Sequence, residues 1–274
     1  MNPSRRLIIN ADDFGRSRSI NQAVIRAHRE GVLTTTSLMV NEPDCAEAVA
    51  LAKENPRLGV GLHLALLCGH SGLPREKIQG LVNDRNEFSD NPARVGAKYF
   101  FNCELRGQLR AEIHGQFARF RATGLPLDHV NGHLHLHLHP TVFGILMQDG
   151  EQLGIRRMRL TREPFWMDVP LAHGRRLYRA AHAAIFCVLA RLAQSRFRRN
   201  NIRHTERVFG LLENDRVDET YILKLLDVLP PGDSELYSHP SLDKFKHEFD
   251  ALISPRVKAR VEASDIQLIR YQDL

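Results

Sequence analysis

His129-Val130-Asn131-Gly132-His133-Leu134-His135-Leu136-His137-Leu138-His139-Pro140 is the stretch on which the reading of this chain turns. In an extended backbone the alternation with leucine puts His133, His135, His137 and His139 on one side. Imidazole is the commonest protein ligand for transition metals, so chemistry is sought here first. The tract is internal and interleaved with leucine, unlike a contiguous terminal tag. Taken singly, each histidine reads as well as a half-buried strand residue bonded to its neighbours. A metal site needs further ligands brought in from elsewhere by the fold.

Upstream, Leu105, Leu109, Ile113, Phe117 and Phe120 recur at helical spacing over 104–123, and Gly124-Leu125-Pro126 ends that helix. Leu127 to Val130 then reads as a strand, and Pro140 suits the first turn of a following helix. Strand and helix alternate in this way along the whole chain. Strands are expected at 6–11, 34–40, 58–64, 127–130, 155–160, 208–212, 234–240 and 266–269. Helices are expected at about 17–30, 43–55, 104–123, 140–153, 173–200, 218–229, 244–252 and after Ser254-Pro255. This alternation implies an α/β fold, a (β/α) barrel in preference to a doubly wound open sheet. At 274 residues the chain suits a single barrel domain over 1–274. Glycine and proline between Ala65 and Tyr99 break all periodicity, so 65–100 is expected to be a lid-like loop.

In such folds reactive groups gather at the carboxyl ends of strands. Asp12, Asp13, His63, His133, Arg159 and His239 all fall there. Adjacent carboxylates behind the apolar run Leu7-Ile8-Ile9 are costly to bury unless something positive sits between them, and a metal would serve. Otherwise they would be a surface helix-capping pair. One carboxylate and two imidazoles leave open positions on a divalent cation, as catalytic sites do. A second carboxylate could act as general base and a histidine across the site as general acid. The set suits amide, ester or some phosphate-ester hydrolysis.

A formal charge of +6 raises the question of nucleic acid, but the excess lies in one place. Between His173 and Asn200 there is no acidic residue, while Arg175, Arg176, Arg179, Arg191, Arg196, Arg198 and Arg199 all occur. The nucleic-acid reading rests on this arginine cluster alone and is set aside. With its apolar centre, 173–200 reads as an interfacial helix facing anionic lipid or as an outer barrel helix with a solvated basic end. Four cysteines without CxxC spacing argue against a thiolate zinc site or a disulfide framework. The short apolar run near the amino terminus does not make a signal peptide, so a cytoplasmic protein is expected.

Four separated blocks now carry a resemblance: Asn10-Ala11-Asp12-Asp13-Phe14-Gly15, Gly59-Val60-Gly61-Leu62-His63-Leu64, Asn131-Gly132-His133 with His135 and His137, and Glu235-Leu236-Tyr237-Ser238-His239-Pro240. In this order they resemble the signature blocks of YdjC-like carbohydrate deacetylases. The likeness is nearest to the branch associated with hopanoid biosynthesis. The resemblance implies a distorted barrel related to polysaccharide deacetylases, which removes N-acetyl groups from amino sugars with one divalent metal, Mg2+ or Zn2+. It implies Asp13, His63 and His133 as metal ligands, Asp12 as base, His239 as the acid protonating the leaving amine, and Arg159 as a residue orienting Asp12 or steadying the site.

The hopanoid branch implies a glycolipid substrate, N-acetylglucosaminyl bacteriohopanetetrol or a close relative, and the basic 173–200 segment independently suggests the peripheral contact with the inner membrane that a lipid-borne sugar would call for. A soluble chitooligosaccharide is the rival substrate, and a non-catalytic sugar- or lipid-binding barrel the rival class. A homodimer is compatible with either. The chain departs from many relatives at Asn131, where they carry aspartate. If that carboxylate tunes the metal histidine in them, its part here falls to a weaker group or to Asp128.

Overall fold

The computed structural model describes residues 4–167 and 176–274. Positions 173–175 of the basic segment, Arg175 among them, lie outside the described residues. The architecture is α/β, built on a curled parallel sheet. At its centre β1 (Arg5–Phe14) is buried from Leu7 onward on both faces, as its apolar sequence demands. It pairs in parallel with β2 (Thr35–Leu38), β6 (Gly232–Ser238) and β7 (Ile266–Leu268). The sheet order is β4-β3-β2-β1-β6-β5, with β3 (Gly59–Leu64), β4 (Val130–Gly132) and β5 (Arg207–Phe209). Gly61 lets β3 lie against His129, since a Cβ there would meet that ring at 2.5 Å.

The strand expected at 155–160 makes only isolated bridges, Val130 with Met158 and Arg157 with Arg203. Side chains also tie it in place: Arg157 donates to the Asp128 carbonyl, and the His137 ring bonds the Arg159 carbonyl at 3.0 Å. The segment nevertheless lies between β4 and the chain leading to β5, where the Val208 amide donates to the Arg162 carbonyl. It brings the two ends of the sheet round into a distorted barrel.

Helices cover the outside. The first, α1 (Arg18–Glu30), is capped by the Ser17 hydroxyl accepting from the Ile20 amide and stopped at Gly31. It is followed by α2 (Cys45–Lys53), α3 (Arg75–Ile78), α4 (Pro92–Phe101), α5 (Leu105–Ala122) and α6 (Pro140–Leu153), which has its proline in the first turn. The later helices are α7 (Arg176–Arg199), α8 (Glu219–Val228), α9 (Lys246–Leu252) and α10 (Pro255–Glu262).

Two expectations change. The 65–100 region is not irregular: it contains α3 and α4 and contributes Leu66, Leu67, Ile78, Phe88, Val95 and Tyr99 to the core. Its helices are too short, and too broken by turns, to show a period. The histidine run is not extended either. After Gly132 it winds through a 3-10 turn, His133–Leu138, with Leu134 and His135 in left-handed conformation at φ 47° and 57°. At about three residues per turn, alternate side chains diverge instead of sharing a face. Leu134 is left exposed while His133, His135 and His137 are buried.

Candidate metal centre

A strand normally sends neighbouring side chains to opposite faces. The register between β1 and β2 shifts between Ala11 and Phe14, and Asp13 is left-handed at φ 67°. This irregularity brings Asp12 and Asp13 to the same imidazole. His63 Nε2 stands 3.3 Å from Asp13 Oδ1, and His63 Nδ1 stands 3.8 Å from Asp12 Oδ1.

Asp13, His63 and His133 converge from the ends of β1, β3 and β4, all three buried. Asp13 Oδ1 is 3.0 Å from His133 Nδ1, and His63 Nε2 is 3.3 Å from His133 Nδ1. Donors bound about 2.0–2.2 Å from one ion at tetrahedral or octahedral angles stand about 3.0–3.5 Å apart. The spacing and the donor types therefore fit a divalent cation. The second Asp13 oxygen accepts from Arg16 at 3.0 Å. Burial would raise the Asp13 carboxyl, but the two imidazoles outweigh it and hold it well below the usual carboxylate range. Burial would lower His133; its bond to Asp13 wins and pushes it up to about 9.

Beside this cluster Asp12 meets the fully buried Arg159. Arg159 Nη1 donates to Asp12 Oδ2 at 2.7 Å and Nη2 to Oδ1 at 3.0 Å. Asn10 and Asn131 also donate to Asp12 Oδ1, at 2.8 and 2.9 Å. Burial would raise this carboxyl too, but the guanidinium holds it far below its ordinary value. Arg159 further binds Glu235 Oε1 through Nε and Nη2, at 3.0 and 2.7 Å, and lies over the Tyr237 ring. The remaining Glu235 oxygen accepts from the Tyr271 hydroxyl.

A cavity of about 310 Å³ opens onto Asp12 and His63 and is lined also by His135, Tyr237 and His239. His239 follows β6; its Nδ1 is 3.9 Å from Asp215 Oδ1 and its amide is held by Glu248. The six residues anticipated from strand ends thus gather at one end of the barrel: a metal-type triad, the Asp12–Arg159 pair beside it, and His239 on the cavity wall.

The other histidines separate by task. His135 bonds the Tyr237 hydroxyl at 3.0 Å and Thr161 at 3.2 Å. His137, pushed down to about 3 by burial, is neutral and props the Arg159 carbonyl. His139 precedes α6 and bonds the Gly96 carbonyl. Sequence reasoning missed Glu235 and Tyr237, which look like ordinary residues of a buried strand, and Tyr271, which lies in a 3-10 turn beyond the last strand. It also missed His182 and Phe186, by which α7 reaches the cavity wall.

A curled parallel sheet with one carboxylate and two imidazoles meeting at its carboxyl edge defines a (β/α) barrel with a candidate metal centre. The chain belongs to the YdjC-like protein family, whose model matches residues 6–263. It is 40% identical over 161 residues to a carbohydrate deacetylase of Geobacillus stearothermophilus, covering 58% of this chain and 62% of that one. It is 36% identical over 162 residues to a chitooligosaccharide deacetylase of Proteus mirabilis, covering 56% of this chain and 59% of the relative. The chain thus matches about three fifths of the length of these relatives. A crystal structure from Enterococcus faecalis V583, provisionally named a cellobiose-phosphate cleavage protein, shares the fold. It has a TM-score of 0.77 and 24% identity, with 98% of each chain covered.

Two outcomes are expected. Arg159→Met leaves Asp12 and Glu235 buried without their common cation and should cost about 3–5 kcal/mol in chemical unfolding. A cation must displace the proton that Asp13 holds on His133. Apparent metal affinity, read by competition with a chelator, should therefore climb up to about tenfold per pH unit from pH 6 and level off above about 9.

Proposed function

We propose that this protein is a metal-dependent carbohydrate N-deacetylase. The observation that carries the reading is the convergence of Asp13, His63 and His133 with the ionised Asp12 beside them. The curated relatives, named for deacetylation of carbohydrates, support it. Asp13, His63 and His133 would hold the cation, which when bound polarises a carbonyl and makes a water more acidic. Two imidazoles favour zinc, manganese or cobalt, and the carboxylate also admits magnesium.

The chain's own groups divide the rest. Oδ1 of Asp12 already accepts three hydrogen bonds, whereas Oδ2 accepts one, from Arg159, so Oδ2 has the lone pair left to take a proton. Pairing with Arg159 keeps Asp12 ionised and fixes its orientation, at the expense of basicity. On the cavity wall, His239 can carry the proton that a departing amine requires.

The finer reading is a glycolipid, an N-acetylglucosamine carried on a polycyclic lipid such as bacteriohopanetetrol, met at the cytoplasmic face of the inner membrane. Two features of α7 support it. Leu177, Ile185, Val188 and Leu192 are exposed at spacings that share one helix face, and Arg191, Arg196, Arg198 and Arg199 are exposed close to them. His182 and Phe186 of the same helix line the cavity, so lipid contact and sugar entry would be adjacent. None of the described helices is long and apolar enough to cross a membrane. Soluble chitooligosaccharide is the second substrate reading, supported by the name of the Proteus relative.

Acetate release should be measured on diacetylchitobiose and on the acetylated glycolipid, with zinc and with magnesium. Activity on either, abolished by Asp13→Ala and cut about 100- to 10,000-fold by Asp12→Asn, is expected. A metal-replete protein silent on both would overturn the deacetylase reading. Co-sedimentation with anionic vesicles should weaken when Arg196, Arg198 and Arg199 become glutamine; unchanged binding would remove the membrane contact.

A further inference from the structure

His63 faces the metal-type triad with Nε2, while its Nδ1 lies 2.7 Å from Asn131 Oδ1. The Asn131 amide cannot be reversed. Its nitrogen stands 2.9 Å from Asp12 Oδ1, and an ionised carboxylate only accepts. Asn131 Oδ1 therefore accepts, His63 Nδ1 carries the hydrogen, and His63 Nε2 presents a lone pair. The same amide nitrogen is 2.8 Å from Ser37 Oγ, which also receives Asn10 Nδ2 at 3.1 Å. With two donors aimed at it, the Ser37 hydroxyl gives its own hydrogen to His129 Nε2, 2.9 Å away. His129 Nδ1 then donates to Asp128 Oδ2 at 2.9 Å.

Every hydrogen bond from His63 through Asn131, Ser37 and His129 to Asp128 thus runs in one direction and ends on a carboxylate. All five side chains are buried. Asp128 is itself anchored, its other oxygen accepting the Gln272 amide at 3.0 Å.

We propose that Asn131 is a positioning residue with two separable tasks: its oxygen fixes the tautomer of His63 for metal binding, and its nitrogen holds Asp12 Oδ1 in place. The proposal rests on the metal-dependent reading of the site. An amide is the side chain that meets both demands, since it accepts on one atom and donates on the other. Aspartate at this position would satisfy His63 as well or better, but it would set a second negative charge against Asp12, with no hydrogen to give.

The two tasks come apart in two variants. Protein stripped of metal is titrated with Co2+ and Zn2+, and the cobalt absorption spectrum reports the geometry of the bound ion. Asn131→Ala removes both tasks and should weaken metal binding about 10- to 100-fold. Asn131→Asp restores the acceptor and should recover most of that affinity. With metal saturating, the same Asn131→Asp protein should keep its KM but lose about 10-fold or more in kcat, because Asp12 loses the donor that orients it.

Thermal unfolding of each variant separates loss of fold from loss of tautomer: a merely structural Asn131 predicts parallel losses in both variants and no rescue by aspartate. Wild-type affinity in Asn131→Ala, absence of rescue, or an undiminished kcat in Asn131→Asp would each overturn the proposal. The titrations need no substrate, so they stand even if acetate release is never found; conversely, acetate release with indifferent titrations sinks this proposal alone.

Discussion

Two neighbouring carboxylates buried at the end of one strand are the constraint around which this molecule is arranged. An uncompensated buried charge costs several kcal/mol, and Asp12 and Asp13 are two such charges in adjacent residues. The chain answers each differently. Asp12 receives a guanidinium in bidentate geometry, whereas Asp13 is left facing two imidazoles whose nitrogens are spaced like ligands. One carboxylate is held by a guanidinium on both oxygens; the other has Arg16 on one oxygen and turns the second toward two imidazoles in the spacing of a metal site. A left-handed residue and a break in strand register bring both to the same place.

Compensation does not stop at the first partner. Arg159 is completely buried and needs more than Asp12 can offer, so Glu235 takes two more of its hydrogens, and Tyr271 from the far end of the chain takes the remaining Glu235 oxygen. The histidine run supplies props in the same spirit. His137 is held neutral so that it can support the Arg159 carbonyl without adding a second positive charge beside the guanidinium. His135 plays the same part for Tyr237. A tract that looks like a row of metal ligands thus contributes one residue to the triad and spends His137 and His135 on holding Arg159 and Tyr237 in place, while His139 ties its end to Gly96.

The fold was largely legible because period and punctuation are local. The helix over 105–122 and the apolar strands before Asp12 and His63 announce themselves within a dozen residues. The six polar residues of the site were legible by position, since a charged or imidazole side chain at the end of a buried strand has few other reasons to be there. The geometry of 133–138 was not, because alternating leucine and histidine suits an extended chain as well as a tight turn; the choice is made by what Arg159 and Tyr237 require. Nor could spacing show that Ser37, inside a run of β-formers, meets Asn131 across two strands. Such partnerships are written in the pairing of β2, β3 and β4, which no single segment carries.

β1 is held on both edges, by β6 along seven residues, by β7 at its start and by β2 at its end. A strand anchored on three neighbours has no cheap local opening, and its amides exchange only through events close to global unfolding. Both carboxylates therefore ride on the part of the molecule that melts last. Movement of the outer helices that line the cavity can proceed while the constellation at the end of β1 stays assembled, so access to the site and its geometry are governed by different layers of the protein.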